Sequence, residues 1–273
     1  MSELAAVFDG AGVLYAPFRI IKDIDRAITK RSRVSGLRCT DRLEKGALVI
    51  LKTLYADTME NEIASKLLSD LMKEKKIESK VVYKREGISD SEVVETILGD
   101  KIVKLEDIHE TMSFLKRCDI LPVTGVGLIV DMTAGAIKYV IAGGINLFPG
   151  TPGLLRNLSQ RGIALYIASG DRIEGEEMVA YLPDVPSGNI FGMLKPEDKR
   201  DLVVKLKHTH KVVMVGDDRN DYLALSEADI AVLSLQEEAD RPAEIFEIAD
   251  CRIKDIRQIE QIIEELEGAK CRI

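Results

Sequence analysis

The sequence predicts an α/β fold with a doubly wound parallel sheet, on three observations. Past Gly143-Gly144, short apolar runs alternate with amphipathic stretches of helical length, the pattern of a parallel sheet with crossover connections. A further apolar run stands alone near the amino terminus, at residues 4–8. Three of the runs stop on polar signals, Asp9, Ser169 and Asp217, at the carboxyl edge where such sheets bind their ligands.

Taken in order, residues 4–8 form a strand that ends on the turn sequence Asp9-Gly10-Ala11-Gly12. From Phe18 to Ala142 the pattern changes character. Strands are expected at 47–51 and 80–83, and helical periodicity runs through 60–75, 90–98 and 105–116. Residues 126–131 and 136–141 flank Met132-Thr133-Ala134-Gly135 as a β-hairpin. A helix over 151–161 carries Pro152 in its first turn and stops at Gly162, the usual asymmetry of helix ends. Then come a strand at 164–168, a helix at 174–181, a brief strand or bend at 190–191 and a helix at 196–207 opened by proline and acids. A strand at 212–215, a helix at 221–228, a strand at 230–233 and an amphipathic helix at 256–266 complete the chain.

With 273 residues, 46% apolar and 31% charged, the chain can hold one large domain or two ordinary ones around a substantial core. A net charge of −8 and a pI near 5.2 argue against non-specific nucleic-acid binding. One local basic stretch (Lys22, Arg26, Lys30, Arg31, Arg33 and Arg38) is expected to be a solvated, flexible segment, with an anionic-substrate or partner surface as the lesser reading. Cys39, Cys118, Cys251 and Cys271 form no zinc-like spacing. No signal peptide and no bilayer-length apolar run is evident, so the reading is a cytoplasmic protein with reduced thiols, and a membrane transporter is excluded.

The acidic turn Gly216-Asp217-Asp218-Arg219-Asn220-Asp221 is the most informative feature. Crowded carboxylates repel one another unless a cation or proton neutralises them. All-oxygen ligands suit a hard ion such as Mg²⁺, which takes one or two protein carboxylates and keeps several waters. A lone turn of this kind is usually a solvated helix cap. Its companions favour the metal: Phe8-Asp9-Gly10-Ala11-Gly12-Val13-Leu14, Ala168-Ser169-Gly170-Asp171 and Lys195-Pro196-Glu197-Asp198-Lys199.

These four motifs, in this order, resemble those of the haloacid dehalogenase superfamily of phosphotransferases, and residues 146–273 are most similar to the phosphorylation domain of P-type ATPases. The resemblance covers 1–17 and 146–273. It implies a Rossmann-like catalytic core from those segments, with 18–145 inserted as an α+β cap domain that includes the 126–142 hairpin. It also implies Asp9 as a nucleophile that becomes an aspartyl-phosphate, which divides phosphoryl transfer into two easier displacements. Magnesium would sit on Asp9, the Ala11 carbonyl and Asp217, with Asp221 acting through a metal-bound water. Ser169 and the Gly170 N–H would bind phosphoryl oxygens. A third-motif lysine would neutralise charge: Lys199 in the ATPase-like branch, Lys195 in others, with Lys199 favoured. The bland reading of either lysine is a surface residue at a helix start. The partner implied is a small phosphorylated substrate, with no nucleic acid and no membrane; oligomeric state is not encoded legibly.

The first motif departs from the family pattern. Most phosphatases of the superfamily carry a second Asp two residues after the nucleophile as general acid/base, and this chain has Ala11 there. Such a group is worth about 10²–10⁴-fold in rate. Two alternatives to a phosphatase follow: a phospholigand-binding or regulatory module with little turnover, and a phosphonatase-like C–P hydrolase. Phosphonoacetaldehyde hydrolases also carry Ala at this place, but need a cap lysine that nothing in 18–145 singles out. Asp131, in Asp131-Met132-Thr133, is a rival nucleophile by its Asp-x-Thr spacing. A hairpin-turn Asp is the favoured reading. His109, His208 and His210 show no ligand pattern and read as solvated.

Overall fold

The computed structural model describes residues 3–118, 120–171, 173 and 175–270, so Glu174 of the expected 174–181 helix and Cys271 lie outside the described residues. The chain divides into two compact units: Met1–Pro17 with Leu147–Ile273, and Phe18–Asn146.

In the first unit, six strands form one sheet in the order Cys251–Ile253, Ile230–Ser234, His210–Gly216, Glu3–Phe8, Ala164–Ala168, Ile190–Phe191. Every pairing is parallel. The first strand in the chain is thus central, and the connections run outward from it in both directions. Its two neighbours, Ala164–Ala168 and His210–Gly216, begin opposite halves of the sheet, which makes its carboxyl end a topological switch point.

Alternation along the strands explains the two wound faces. Ala5, Val7, Val212, Met214, Ala231 and Leu233 pack with Val203 and Leu206 of the Pro196–Lys207 helix, Ala224 and Leu225 of the Tyr222–Glu227 helix, and Ile245 of the Ala243–Ile248 helix. The Thr151–Gln160 helix instead contacts the Ala164–Ala168 strand and the Gln258–Lys270 helix. It buries Leu154, Leu155 and Leu158, while the Gln258–Lys270 helix buries Ile259 and Ile263. The α/β class with a parallel sheet is as expected. The Ala243–Ile248 helix and the Cys251–Ile253 strand were not anticipated, being too short to show a period.

The second unit carries a six-stranded sheet in the order Ile28–Ser32, Tyr15–Asp23, Ala136–Leu147, Leu121–Asp131, Gly46–Leu51, Ser79–Lys84. Its main core joins Val49, Leu51, Leu128 and Val140 of the sheet to Leu71, Val93, Ile97, Ile108, Met112 and Leu115 of three helices. Two expectations are corrected here. The basic stretch is largely an antiparallel hairpin, Tyr15–Asp23 against Ile28–Ser32, rather than a flexible segment. Its β-branched residues and buried Phe18 and Ile20 outweigh the charges: the Lys22 ammonium is 2.8 Å from Asp107 and 2.5 Å from Glu110, and the Arg31 guanidinium lies over the Phe18 ring. The expected 60–75 helix exists only at Leu68–Glu74. The Ala64 and Lys66 carbonyls accept the N–H groups of Glu106 and Leu105, which binds 60–66 as a turn against the start of the Leu105–Arg117 helix.

Candidate active site

Asp9 follows the central strand directly, and its N–H donates to the Val215 carbonyl at 2.9 Å. Strand pairing therefore extends one residue past Phe8 and holds Asp9, buried at 3% exposure, beside the end of His210–Gly216. The turn after Asp9 is tight. The Gly10 carbonyl accepts the N–H groups of Leu14 and Tyr15, at 2.9 and 3.2 Å. Gly12 has φ +77, and a β carbon there would overlap the Asp217 carboxylate. This glycine is what allows the first-motif turn and the acidic turn to meet.

Lys199 lies in the first turns of the Pro196–Lys207 helix and is fully buried. Its ammonium donates to Asp9 Oδ1 at 2.8 Å and to Asp221 Oδ1 at 2.7 Å. The other Asp221 oxygen accepts the Asp217 N–H at 3.0 Å, so Asp221 ties the lysine to the acidic turn. Burial pushes the Asp9 carboxyl well above the usual carboxylate range, Asp221 adds to this, and Lys199 offsets part of it. Burial and Asp221 also raise Asp217 to about 7 against the pull of Arg241. For Lys199, burial acts to lower the pKa, but Asp221 and Asp9 outweigh it and the ammonium is held more firmly than usual.

One carboxylate oxygen from each of Asp9, Asp217 and Asp221 lies within 4.8 Å of the others. Three carboxylates face the Lys199 ammonium and, 3.7 Å from Asp217, the Arg241 guanidinium; the cluster is still short of positive charge, two of its carboxyls have raised pKa values, and the donors are all oxygen. That chemistry fits a hard divalent cation such as Mg²⁺. Ala11, half-buried, lies in the same turn and bridges to Tyr15.

On the other side of the central strand, Ser169 ends Ala164–Ala168. Its N–H donates to the Phe191 carbonyl and its own carbonyl accepts the Leu194 N–H. Its hydroxyl accepts the Asp171 N–H at 3.1 Å and lies 3.2 Å from the Tyr15 hydroxyl. Gly170, next in sequence, is exposed. Lys195 is also exposed. It precedes the helix, where its N–H donates to Asp198, and it takes no part in the carboxylate cluster.

Several supporting residues escaped sequence reasoning. Ser234 donates to the Gly12 carbonyl and Gln236 to the Val13 carbonyl, both at 2.8 Å, clamping the turn after Asp9. Arg241 donates from Nε to the Asp217 carbonyl at 2.6 Å, with a terminal nitrogen 3.7 Å from Asp217 Oδ2. No local signal marks any of them. Asp131 ends a strand of the second unit and accepts the N–H groups of Thr133 and Ala134, as a turn aspartate does. His109 bonds the Met59 carbonyl and His210 bonds Thr209.

A family model described as haloacid dehalogenase-like hydrolase matches residues 4–229. A soluble P-type ATPase-like phosphatase of Methanocaldococcus jannaschii is 32% identical over 268 residues, 97% of this chain and 94% of that protein. A probable copper-importing P-type ATPase A of Enterococcus hirae is 34% identical over 134 residues, 49% of this chain and 16% of the ATPase. Among solved structures, the catalytic domain of the CPx-ATPase CopB-B has a TM-score of 0.46 and 17% identity, covering 95% of this chain and 88% of that one.

Proposed function

The chain belongs to the haloacid dehalogenase-like hydrolases, and on that footing we propose that it is a magnesium-dependent phosphatase acting on a small phosphorylated substrate through an aspartyl-phosphate on Asp9. The observation that carries the reading is the buried Asp9–Lys199–Asp221 cluster, with Asp217 beside it, at the switch point of the sheet. A carboxylate held there, with a cation already in contact, suits attack on an anionic phosphoryl group.

An Asp9 carboxylate oxygen attacks phosphorus, and the bond from phosphorus to the leaving oxygen breaks. Water then attacks the same phosphorus, releasing inorganic phosphate and restoring the Asp9 carboxylate. Lys199 offsets the negative charge gathered between carboxylate and phosphoryl oxygens, and Ser169 with the Gly170 N–H receives those oxygens. Asp9, the Ala11 carbonyl, Asp217 and Asp221 would hold magnesium, which when bound would supply the remaining positive charge. Phe18–Asn146 is assigned to a cap that governs access, and the cytoplasm is the proposed compartment. Among the described residues no helix is long and apolar enough to cross a membrane.

The second unit offers no support for a C–P hydrolase. A Schiff-base lysine needs a depressed pKa. Lys22 is the buried lysine of that unit among the described residues, and although burial lowers its pKa, Asp107 and Glu110 raise it overall. Ala11 favours a second reading, a phospholigand-binding module with little turnover. The test is hydrolysis of an aryl phosphate with Mg²⁺, with and without EDTA, beside Asp9→Asn. The phosphatase reading expects activity that EDTA and the substitution both abolish. Equal rates for wild type and Asp9→Asn would sink it.

A further inference from the structure

The Tyr15 phenol is fully buried at the end of the turn that begins with Asp9, and it folds back over Gly10 to reach Ser169. A β carbon on Gly10 would collide with the Tyr15 hydroxyl and sit 2.7 Å from Ser169 Oγ. The Asp9 turn is thus shaped around a contact between a phenol and a serine that are 154 residues apart in the chain.

A serine hydroxyl has one proton to donate and two lone pairs. At Ser169 the Asp171 N–H fills one lone pair at 3.1 Å. With the phenol donating at 3.2 Å, the second is filled as well. Both acceptor positions are then taken by the protein, and the single Ser169 proton can only be donated outward. Were the phenol the acceptor instead, that proton would be spent inside the protein, and Ser169 would offer an anion nothing but lone pairs.

We propose that Tyr15 is a positioning residue for phosphoryl binding: its hydroxyl donates to Ser169 and so commits the Ser169 proton to a phosphoryl oxygen. The inference rests on the phosphatase reading, in which Ser169 receives that oxygen. The general signals of the first motif do not reach it, because it depends on a phenol at position 15 and on the space that Gly10 leaves open.

The test is a double-mutant cycle of Tyr15→Phe and Ser169→Ala, read in kcat/KM for an aryl phosphate and, by calorimetry with Mg²⁺, in the affinity for inorganic phosphate. Tyr15→Phe removes one oxygen and keeps the ring, and thermal melts of each variant separate folding from binding. The expected result is a loss of about three- to tenfold in both readouts for Tyr15→Phe, and no further loss when it is added to Ser169→Ala. A purely structural role would lower the values in both backgrounds. Multiplying effects, or an unaltered Tyr15→Phe beside an active wild type, would overturn the inference and leave the phosphatase reading standing. If Tyr15→Phe does not fold, replacement of Tyr15 by 3-fluorotyrosine, which keeps ring and hydroxyl and strengthens the phenol as a donor, gives the second reading: phosphate affinity should hold or rise, and a fall overturns the inference. A wild type that neither turns over nor binds phosphate overturns both.

Discussion

The Lys199 ammonium stands 2.8 Å from the Asp9 carboxylate with no solvent exposure, and Asp221 holds it from the other side at 2.7 Å. Asp221 also accepts the Asp217 N–H, but Lys199 is the cation in contact with both carboxylates, and the lysine would not be buried without them. Lys199→Met keeps the length of the side chain and removes the charge. The carboxylates are then left facing one another, a loss of about 3–5 kcal/mol in metal-free stability. Turnover falls by about 10²–10³-fold, the scale of losing one charge-stabilising group. Lys195→Met, at the exposed helix start, changes stability by less than about 0.5 kcal/mol and leaves turnover intact. Denaturant unfolding and kcat/KM of the two variants check this; matching effects would remove Lys199 from its assigned role.

Asp217 gives a pH-dependent prediction. Burial and Asp221 lift its folded-state pKa to about 7 from the ordinary 3.8. With the folded value above the unfolded one, its contribution to stability is full below the ordinary value and is lost as pH rises through about 7. Asp217→Asn cannot ionise and escapes that loss. In EDTA the variant should melt higher than wild type at pH 8 and level with it near pH 4. Magnesium should raise the wild-type melting temperature at pH 8 and hardly move that of Asp217→Asn. The apparent wild-type affinity for Mg²⁺ should fall about tenfold per pH unit below about 7, as protons compete for the ligand. A metal-free Asp217→Asn that melts below wild type at pH 8 would contradict the raised value.

The two predictions draw on residues of different legibility. Asp9, Ser169 and Asp217 each end an apolar run, and the end of a buried parallel strand is visible in sequence as that change of polarity. Lys199 is favoured over Lys195 only through the family resemblance, because both flank the same helix start and no local pattern separates them. One turn of helix, about 5.4 Å of rise, places one in solvent and the other in the core, and burial is a tertiary fact. Tyr15, Ser234, Gln236 and Arg241 reach the site from turns and strand ends whose own patterns are satisfied otherwise. In the hairpin formed by Tyr15–Asp23 and Ile28–Ser32, closely spaced charges mask the alternation of the strands.

Gly12 isolates the steric requirement of the site. Its φ of +77 and the Asp217 carboxylate filling the place of a β carbon both oppose any side chain. Gly12→Ala should lose more than about 1 kcal/mol and weaken Mg²⁺ binding by displacing Asp217. Gly153→Ala is the control: it lies in the Thr151–Gln160 helix with open space around its β position, and should gain up to about 1 kcal/mol from helix propensity with no change in metal affinity. Thermal melts with and without Mg²⁺ distinguish the two. Unchanged metal binding in Gly12→Ala would show that the Gly12–Asp217 approach is not needed.

Under the proposed phosphatase chemistry, Ala11 determines which leaving groups the site can manage. With no carboxyl at that position, an alkoxide leaves only as fast as water can protonate it, whereas a nitrophenolate leaves without help. Wild type should therefore hydrolyse aryl phosphates with acidic phenols far faster than alkyl phosphates. Ala11→Asp should raise the alkyl rate by about 10²–10⁴-fold and leave the nitrophenyl rate within a few fold, provided the new carboxyl reaches the leaving oxygen. Steady-state kcat/KM across a series of leaving-group pKa values gives the answer as a slope, steep for wild type and shallow for the variant. A shallow wild-type slope would mean that another group already donates the proton, and with brisk turnover it would also end the reading of the chain as a phospholigand-binding module. A steep slope that Ala11→Asp fails to flatten would place the leaving group out of reach of position 11.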